Sequence, residues 1–222
     1  MLISDSAQGF GATYKGRVTG AIGDFATTSF FPAKPLGCYG DGGAVFTPHD
    51  EHAATIRSLH VHGKGTDKYD NVRIGVNSRL DTMQAAVLLE KLAVFGDEIA
   101  LRQTVAKRYA DGLGDIAKVP TVMDGCVSTW AQYTLRIASG ARAGFIDALK
   151  AKGVPTAIYY PKPLHQQTAY KRFPVAGNGL PISEKVAQEV VALPMHPYLD
   201  EATQNYIIDV TREALTGHPQ AA

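Results

Sequence analysis

Lys34 directly follows an apolar run and lies between two prolines, Pro32 and Pro35. Proline fixes its own φ and disfavours a helical conformation of the residue before it, so this pattern predicts a stiff, extended backbone around the lysine. A lysine held at one point of a pocket can form a Schiff base with a carbonyl compound. Without such a pocket, Lys34 is an ordinary surface lysine in a loop, which is the more frequent situation for this residue type.

Asp5 is the second residue that could do chemistry, because it follows Leu2 and Ile3 at the expected end of a strand. Sheets in α/β proteins bind ligands at the C-terminal ends of their strands. A carboxylate there can keep a pyridine nitrogen protonated, which makes a pyridoxal ring an electron acceptor. The alternative is an aspartate that caps a helix or stabilises a turn.

Two further motifs have a structural and a functional interpretation. The glycine cluster at 37–43 does not match a phosphate-binding loop, and a tight turn with positive-φ positions is the alternative. His60 and His62 lack further histidine or cysteine ligands at metal spacing, so no metal site is predicted. Cys38 and Cys126 are expected to be small buried side chains, and two cysteines are too few for a disulfide framework, which favours the cytoplasm.

The elements that must position these residues alternate between strands and helices. Strands are predicted at 24–31, 43–47, 133–137 and 156–160, and helices at 50–60, 143–152, 183–192 and 201–215. Helical spacing also covers two consecutive segments, 81–95 and 97–113, which predict a long connector between two domains. The pattern is α/β, with a domain boundary near residue 105.

Composition excludes several classes of function. The chain has 222 residues, a formal net charge of +1 and 45% hydrophobic residues. A chain this close to neutrality has no overall field that would attract nucleic acid or an acidic membrane, so neither partner is predicted. No run of about 18 apolar residues occurs, so no membrane-spanning helix is predicted.

Six segments, in this order and at this spacing, resemble the DegT/DnrJ/StrS family of sugar aminotransferases, which bind pyridoxal 5′-phosphate (PLP) on the fold type I scaffold. The segments are residues 5–12, 29–34, 40–43, 77–81, 160–165 and 193–197. The resemblance implies an α/β fold like that of aspartate aminotransferase. Residues 1–105 would then form a partial large PLP-binding domain that ends in the connector helix, and residues 106–222 a complete small α/β domain.

The same resemblance implies roles for individual residues near the cofactor. Lys34 matches the Schiff-base lysine, which also moves the proton between substrate and cofactor. Asp5 matches the partner of the pyridine nitrogen, Gln8 the residue near the ring hydroxyl, and Ser29 a hydroxyl that holds the cofactor phosphate. Asn77 matches a phosphate contact given to the site of the neighbouring subunit, which implies a homodimer with sites at the interface.

Within the family, the segments 35–43 and 75–81 are most similar to enzymes that aminate the 3-keto group of a UDP-linked N-acetyl hexuronic acid. This resemblance implies glutamate as amino donor and a role in surface polysaccharide synthesis, such as that of the lipopolysaccharide O-antigen. Arg79, Tyr159 and Tyr160 are the residues expected on the sugar-nucleotide side. Such enzymes often have histidine where this chain has Tyr159, which leaves the identity of the sugar open.

Family members normally have a long segment before the strand that ends at Asp5, so this chain is expected to be a C-terminal portion of such an enzyme. Surfaces between Asp5 and about Ala93 should then be apolar where their partners are absent. Three functions stay open at this point. The chain is part of a PLP aminotransferase, or a non-catalytic fragment or interaction remnant of one, or a PLP-dependent sugar dehydratase. Lys34 argues against the dehydratase, because those relatives typically have histidine there.

Overall fold

The computed structural model describes residues 1–138 and 140–217. Contacts within the chain divide it into two compact units. The first contains Met1–Ala100 and Val122–Ala131, and the second contains Leu101–Thr121 and Gln132–Ala222, whose last five residues lie outside the described part. The sequence predicts one boundary near residue 105 and does not predict that residues 122–131 return to the first unit. That these units correspond to the large and small domains of a PLP enzyme stays a prediction.

The first unit is built on a three-stranded sheet with the order β1-β4-β5. Strand β1 (Ile3–Asp5) is parallel to β4 (Phe25–Ser29), and β4 is antiparallel to β5 (Gly43–Phe46). A second small sheet contains β2 (Thr13–Tyr14), β3 (Arg17–Val18) and β6 (Cys126–Val127). Because β1 and β4 are parallel, both end at the same edge of their sheet, where α/β sheets bind ligands.

Two helices complete this unit, α1 (Asp50–Leu59) and the first part of α2 (Thr82–Leu113). The two helical segments predicted at 81–95 and 97–113 are one continuous helix of 32 residues. A cluster of buried side chains joins this helix to the chain after β4, namely Phe30, Leu36, Cys38, Leu88 and Phe95. The segment that carries Lys34 is therefore flanked on both sides by residues of this hydrophobic cluster.

The second unit has a two-stranded antiparallel sheet, in which β7 (Tyr133–Arg136) pairs with β8 (Val190–Leu193). The described part of this unit has three α-helices besides the end of α2, namely α3 (Arg142–Ala151), α4 (Pro181–Glu189) and α5 (Glu201–Thr216). Its core consists of fully buried side chains, among them Tyr109, Tyr133, Leu135, Phe145 and Leu149. Within the described part of the chain, no helix combines the length and the apolar character needed to cross a membrane.

Two predictions of secondary structure in this unit are wrong. The helix predicted at 183–192 begins at Pro181 and ends at Glu189, and the next residues form β8. The run Val-Val-Ala-Leu is entirely buried and pairs with β7, so tertiary packing overrides the helical spacing. The strand predicted at 156–160 is reduced to one bridge between Ala157 and Ala192, and Tyr159 and Tyr160 lie in an irregular segment.

Candidate active site

The segment that carries Lys34 is a reverse turn. The Lys34 N–H donates a hydrogen bond to the Phe31 carbonyl over 2.9 Å, and Pro32 occupies the position of the turn that proline favours. The prediction of an extended backbone here was wrong, because the chain reverses direction immediately after the strand. The Lys34 side chain is half-buried.

Close backbone packing holds this turn together and explains the glycine cluster. A Cβ on Gly37 would lie 2.6 Å from the Pro32 carbonyl oxygen, and one on Gly43 would lie 2.8 Å from that of Thr28. None of the cluster's glycines, all of them in the described part of the chain, has a positive φ. The tight turn with positive φ predicted at 37–43 was therefore wrong: the reverse turn lies at 31–34, before the cluster, and glycine is needed at 37 and 43 for close approach of the backbone.

Asp5 and Ser29 end the parallel strands β1 and β4 at one edge of the sheet. The exposed Asp5 carboxylate accepts a hydrogen bond from the Ala7 N–H over 3.0 Å, and the Ser29 hydroxyl accepts one from the Phe31 N–H over 3.2 Å. The sheet therefore brings a carboxylate and a hydroxyl to the same edge, and Lys34 follows Ser29 by one reverse turn.

Two neighbouring residues at this edge have different environments. The Gln8 side chain is exposed, and the backbone carbonyl of Gln8 accepts a hydrogen bond from the Thr129 hydroxyl over 3.2 Å. The Ser6 side chain is 2% exposed, and its hydroxyl has no hydrogen-bond partner among residues 1–138 and 140–217. A buried hydroxyl without a partner is unfavourable, so Ser6 is a polar group able to interact with a ligand.

Asn77 and Arg79 follow a compact loop in the first unit. Its two ends pair through backbone hydrogen bonds, from the Val76 N–H to Leu59 over 2.8 Å and from the Ser78 N–H to His60 over 2.9 Å. The exposed Arg79 guanidinium donates to the Asn77 side-chain oxygen over 3.1 Å. The structure thus joins these two predicted residues, and it uses His60 as part of the backbone pairing.

The His60 side chain has a structural partner within this loop. The His60 ring nitrogen Nδ1 lies 3.2 Å from the Ser78 carbonyl oxygen, which gives this ring a partner inside the loop. Among the residues that the structure describes, no group of three or more histidine, cysteine or acidic side chains is placed to hold a metal ion.

Tyr159 and Tyr160 belong to the second unit and border a groove of about 570 Å³. The segment 159–164 and Gln167 form one wall, and Ser183, Val186, Ala187 and Val190 form the other. Helix α4 and the start of β8 supply the second wall. The two tyrosine rings lie 5.6 Å apart, with an angle of 70° between their planes.

The sequence motifs did not identify Gln84 and Lys91 as functional residues. Both side chains hydrogen-bond to the loop after Lys34. Both lie on the face of α2 that carries the buried Leu88 and Phe95. Polar residues at helical spacing from apolar core positions are the signal that could have found them. The sequence alone does not show which backbone groups they reach.

Comparison with known proteins gives consistent matches along the chain. Residues 1–212 match the sequence profile of the DegT/DnrJ/EryC1/StrS aminotransferase family. A UDP-2-acetamido-2-deoxy-3-oxo-D-glucuronate aminotransferase of Pseudomonas aeruginosa is 50% identical over 205 residues, which are 91% of this chain and 55% of that protein. A UDP-N-acetyl-3-dehydro-alpha-D-glucosamine 3-aminotransferase of Acidithiobacillus ferrooxidans is 38% identical over 220 residues, 97% of this chain and 58% of that protein.

Solved structures confirm the predicted fold class, the α/β fold type I. An aminotransferase from Brucella abortus, described as DegT DnrJ EryC1 StrS, superposes with a TM-score of 0.91 and 55% identity over 95% of this chain and 56% of its own. NtdA from Bacillus subtilis with bound cofactor PMP superposes with a TM-score of 0.84 and 27% identity over 96% and 50%. The chain spans between 55% and 59% of the length of the curated relatives it matches.

Proposed function

Because the chain belongs to the DegT/DnrJ/EryC1/StrS aminotransferase family, we propose that it supplies the reactive lysine and part of the cofactor site of a PLP-dependent nucleotide-sugar aminotransferase. The observation that carries this proposal is the common sheet edge at which Asp5, Ser29 and the turn with Lys34 lie. The NtdA structure, solved with PMP, supports a pyridoxal-type cofactor.

The residues at this edge fit PLP by their chemistry. Asp5 would pair with the pyridine nitrogen, Ser29 would hold the phosphate, and Gln8 would lie near the ring hydroxyl. The buried Ser6 hydroxyl offers a further hydrogen-bonding group without a protein partner among the described residues. When bound, PLP supplies an electron acceptor that stabilises negative charge on the carbon that exchanges its amino group.

Lys34 has two tasks in this proposal. Its Nζ would hold the cofactor covalently while no substrate is present, and it would then move the proton at the reacting carbon. Both tasks need the amine at a fixed place. The Pro32 turn and the close packing of Gly37 restrict where the Lys34 backbone can be, so they support this assignment.

We further propose a UDP-linked keto sugar as the substrate, aminated at C3 of an N-acetyl-hexuronic acid, with glutamate as amino donor. The printed name of the P. aeruginosa relative, at 50% identity, supports this sugar. Arg79, Tyr159 and Tyr160 would bind the sugar nucleotide, since a guanidinium suits phosphate or carboxylate and tyrosines offer both apolar rings and hydroxyls.

The remaining parts of the proposal concern the setting of the reaction. Asn77 would reach the cofactor phosphate of a second copy, so the working enzyme would be a homodimer. Free cysteines at positions 38 and 126 support a cytoplasmic location. The product would serve surface polysaccharide synthesis, such as that of the lipopolysaccharide O-antigen.

The test uses chemical trapping on Lys34. The chain is incubated with PLP, reduced with borohydride and digested, and the modified lysines are located by mass spectrometry. We expect selective modification of Lys34 together with visible absorbance of bound PLP, and loss of both in Lys34→Ala. Lys68→Ala, at an exposed lysine of the same unit, is the matched control and should behave like the unchanged chain. Equal absorbance in Lys34→Ala would refute the assignment.

A second candidate is a non-catalytic fragment or interaction remnant of such an enzyme. It is favoured by the large apolar side chains exposed on the first unit, where Ile74 is 99% and Met83 is 80% exposed. This candidate predicts a chain without transaminase activity when it is assayed alone.

A further inference from the structure

Helix α2 holds the loop after Lys34 through three hydrogen bonds to its backbone. The Gln84 side-chain oxygen accepts from the Tyr39 N–H over 2.8 Å, and the Gln84 amide group donates to the Tyr39 carbonyl over 3.4 Å. The Lys91 ammonium donates to the Gly37 carbonyl over 2.6 Å. One side chain therefore engages both polar groups of a single residue, as a neighbouring strand would.

The buried residues on the same face of helix α2 fix the positions of the Gln84 and Lys91 side chains. Gln84 and Lys91 are seven positions apart, which is close to two helical turns, so they project from one face. Leu88 and Phe95 lie on the same face and are buried in the cluster that contains Leu36 and Cys38. The helix cannot rotate or slide relative to the loop without exposing this cluster.

The restraint reaches Lys34 through a short and tightly packed backbone. Gly37 lies three residues after Lys34 and packs against the Phe31 and Pro32 carbonyls, at 2.7 and 2.6 Å from the position of a Cβ. The Lys34 N–H is bonded to the same Phe31 carbonyl, and the Cys38 N–H donates to Phe30 over 2.8 Å. Both ends of the turn are thereby held, one by β4 and the other by α2.

We propose that Gln84 and Lys91 are positioning residues for Lys34. They act through residues 37–39, and they set where the lysine amine can be when it meets a carbonyl compound. The hydrogen bond of 2.6 Å from the Lys91 ammonium to the Gly37 carbonyl is charge-assisted. It is therefore a stronger restraint than the hydrogen bonds of Gln84. This assignment rests on the proposed function of Lys34, since a lysine without chemistry would not need it.

Cys38 provides a reporter of the restraint that is independent of the cofactor. It lies between Gly37 and Tyr39, its side chain is 1% exposed, and its thiol contacts the Phe30 and Gly40 carbonyls over 3.1 and 3.0 Å. A thiol reagent can reach it only when this loop opens. Cys126 is half-buried, lies in β6 and serves as the internal reference.

The experiment measures the labelling rate of both cysteines in the 222-residue chain with Gln84→Leu or Lys91→Met. We expect Cys38 to react about three- to tenfold faster in Gln84→Leu and about tenfold or more faster in Lys91→Met, with Cys126 unchanged. Lys91→Arg, which keeps a cationic donor, should restore most of the protection. Lys107→Met and Glu90→Leu, at exposed positions of α2, are controls and should leave both rates unchanged.

Borohydride trapping with PLP then links the restraint to Lys34. We expect the two variants to lower the yield of modified Lys34 about threefold or more and to leave modification of exposed lysines unchanged. Unchanged Cys38 rates, or variants that trap PLP at Lys34 as well as the unchanged chain, would overturn the positioning role alone. An unchanged chain that traps no more PLP at Lys34 than at exposed lysines would refute the proposed function, and the positioning role with it. Faster labelling of both cysteines would indicate global destabilisation and would also overturn the role.

Discussion

The Glu189 carboxylate is a deeply buried charge of the second unit, and replacing its partner Arg136 tests the packing around it. Glu189 is 1% exposed and ends α4, whose residues form one wall of the groove. Arg136 in β7 donates to one carboxylate oxygen of Glu189 through Nε over 3.0 Å and through a terminal nitrogen over 2.5 Å. Lys185 lies 3.9 Å from the other oxygen.

The magnitude follows from what remains after Arg136→Met. Removing one partner of a buried ion pair costs about 3–5 kcal/mol, because the other charge stays buried without compensation. Lys185 is already close to the carboxylate and water can reach the 27% exposed side of Arg136, so we expect the lower end, about 3 kcal/mol. With a urea dependence of about 2 kcal/mol per molar, the unfolding midpoint of this unit should fall by about 1.5 M.

The assay must distinguish the two units of the chain. Hydrogen exchange of the paired strands β7 and β8 follows the second unit, and the fluorescence of Trp130, the only tryptophan, follows the first. We expect only the exchange transition to move. Lys185→Met, which removes the distant and 60% exposed cation, is the matched control and should cost less than about 1 kcal/mol.

A double variant distinguishes the cost of leaving the Glu189 charge buried from the cost of losing the ion pair itself. Replacing both partners, Arg136→Met with Glu189→Leu, leaves no buried charge at the positions of this pair and should recover most of the lost stability. A loss below about 1 kcal/mol in Arg136→Met, or a double variant less stable than that single variant, would refute this reasoning.

Further predictions concern the close backbone contact between Gly75 and Gly63 and the exposed ion pair of Arg212 with Asp115. Gly75→Ala should destabilise the first unit by about 1–3 kcal/mol in thermal unfolding, because the new Cβ would lie 2.1 Å from the Gly63 nitrogen. Gly96→Ala, in helix α2 with open space around it, should stabilise by about 1 kcal/mol, and equal shifts would contradict both statements. The Arg212 side chain donates to Asp115 and lowers the pKa of that carboxyl, so the stabilisation it provides is lost as the pH falls below about 3.9. Asp115→Asn should therefore flatten the acid limb of urea unfolding, and an unchanged limb would refute the assignment.

Much of the fold could be predicted from local pattern. The strand after Asp24, the helices that begin at residues 50 and 201, and the long connector all have strong periodicity, and each is present. The errors occurred at Val190–Leu193 and at Ala157–Tyr160. In the first case, a buried partner strand converts a helical pattern into β8, and in the second, only one residue finds a partner in the sheet. Neither outcome is encoded locally, because both depend on which segments meet.

The residue types of the candidate site could be predicted from the sequence. Its geometry could be predicted only in part. Strand ends place Asp5 and Ser29 together, since parallel strands end at one edge. The turn at Lys34 was predicted as extended backbone, because the proline rules do not include the Phe31 carbonyl that accepts from Lys34. The roles of Gln84 and Lys91 depend on contacts across 45 and 54 positions in sequence, which periodicity cannot show.

The division of these residues between units bears on which candidate function is correct. The groups proposed to hold PLP, among them Asp5, Ser29 and Lys34, all lie in the first unit, whereas Tyr159 and Tyr160 lie in the second. Trapping of PLP at Lys34 needs only the groups of the first unit, whereas amination of a sugar also needs groups that bind the sugar nucleotide. A chain that traps PLP selectively but does not transfer an amino group would therefore agree with the fragment candidate. It would still confirm the chemistry assigned to Lys34.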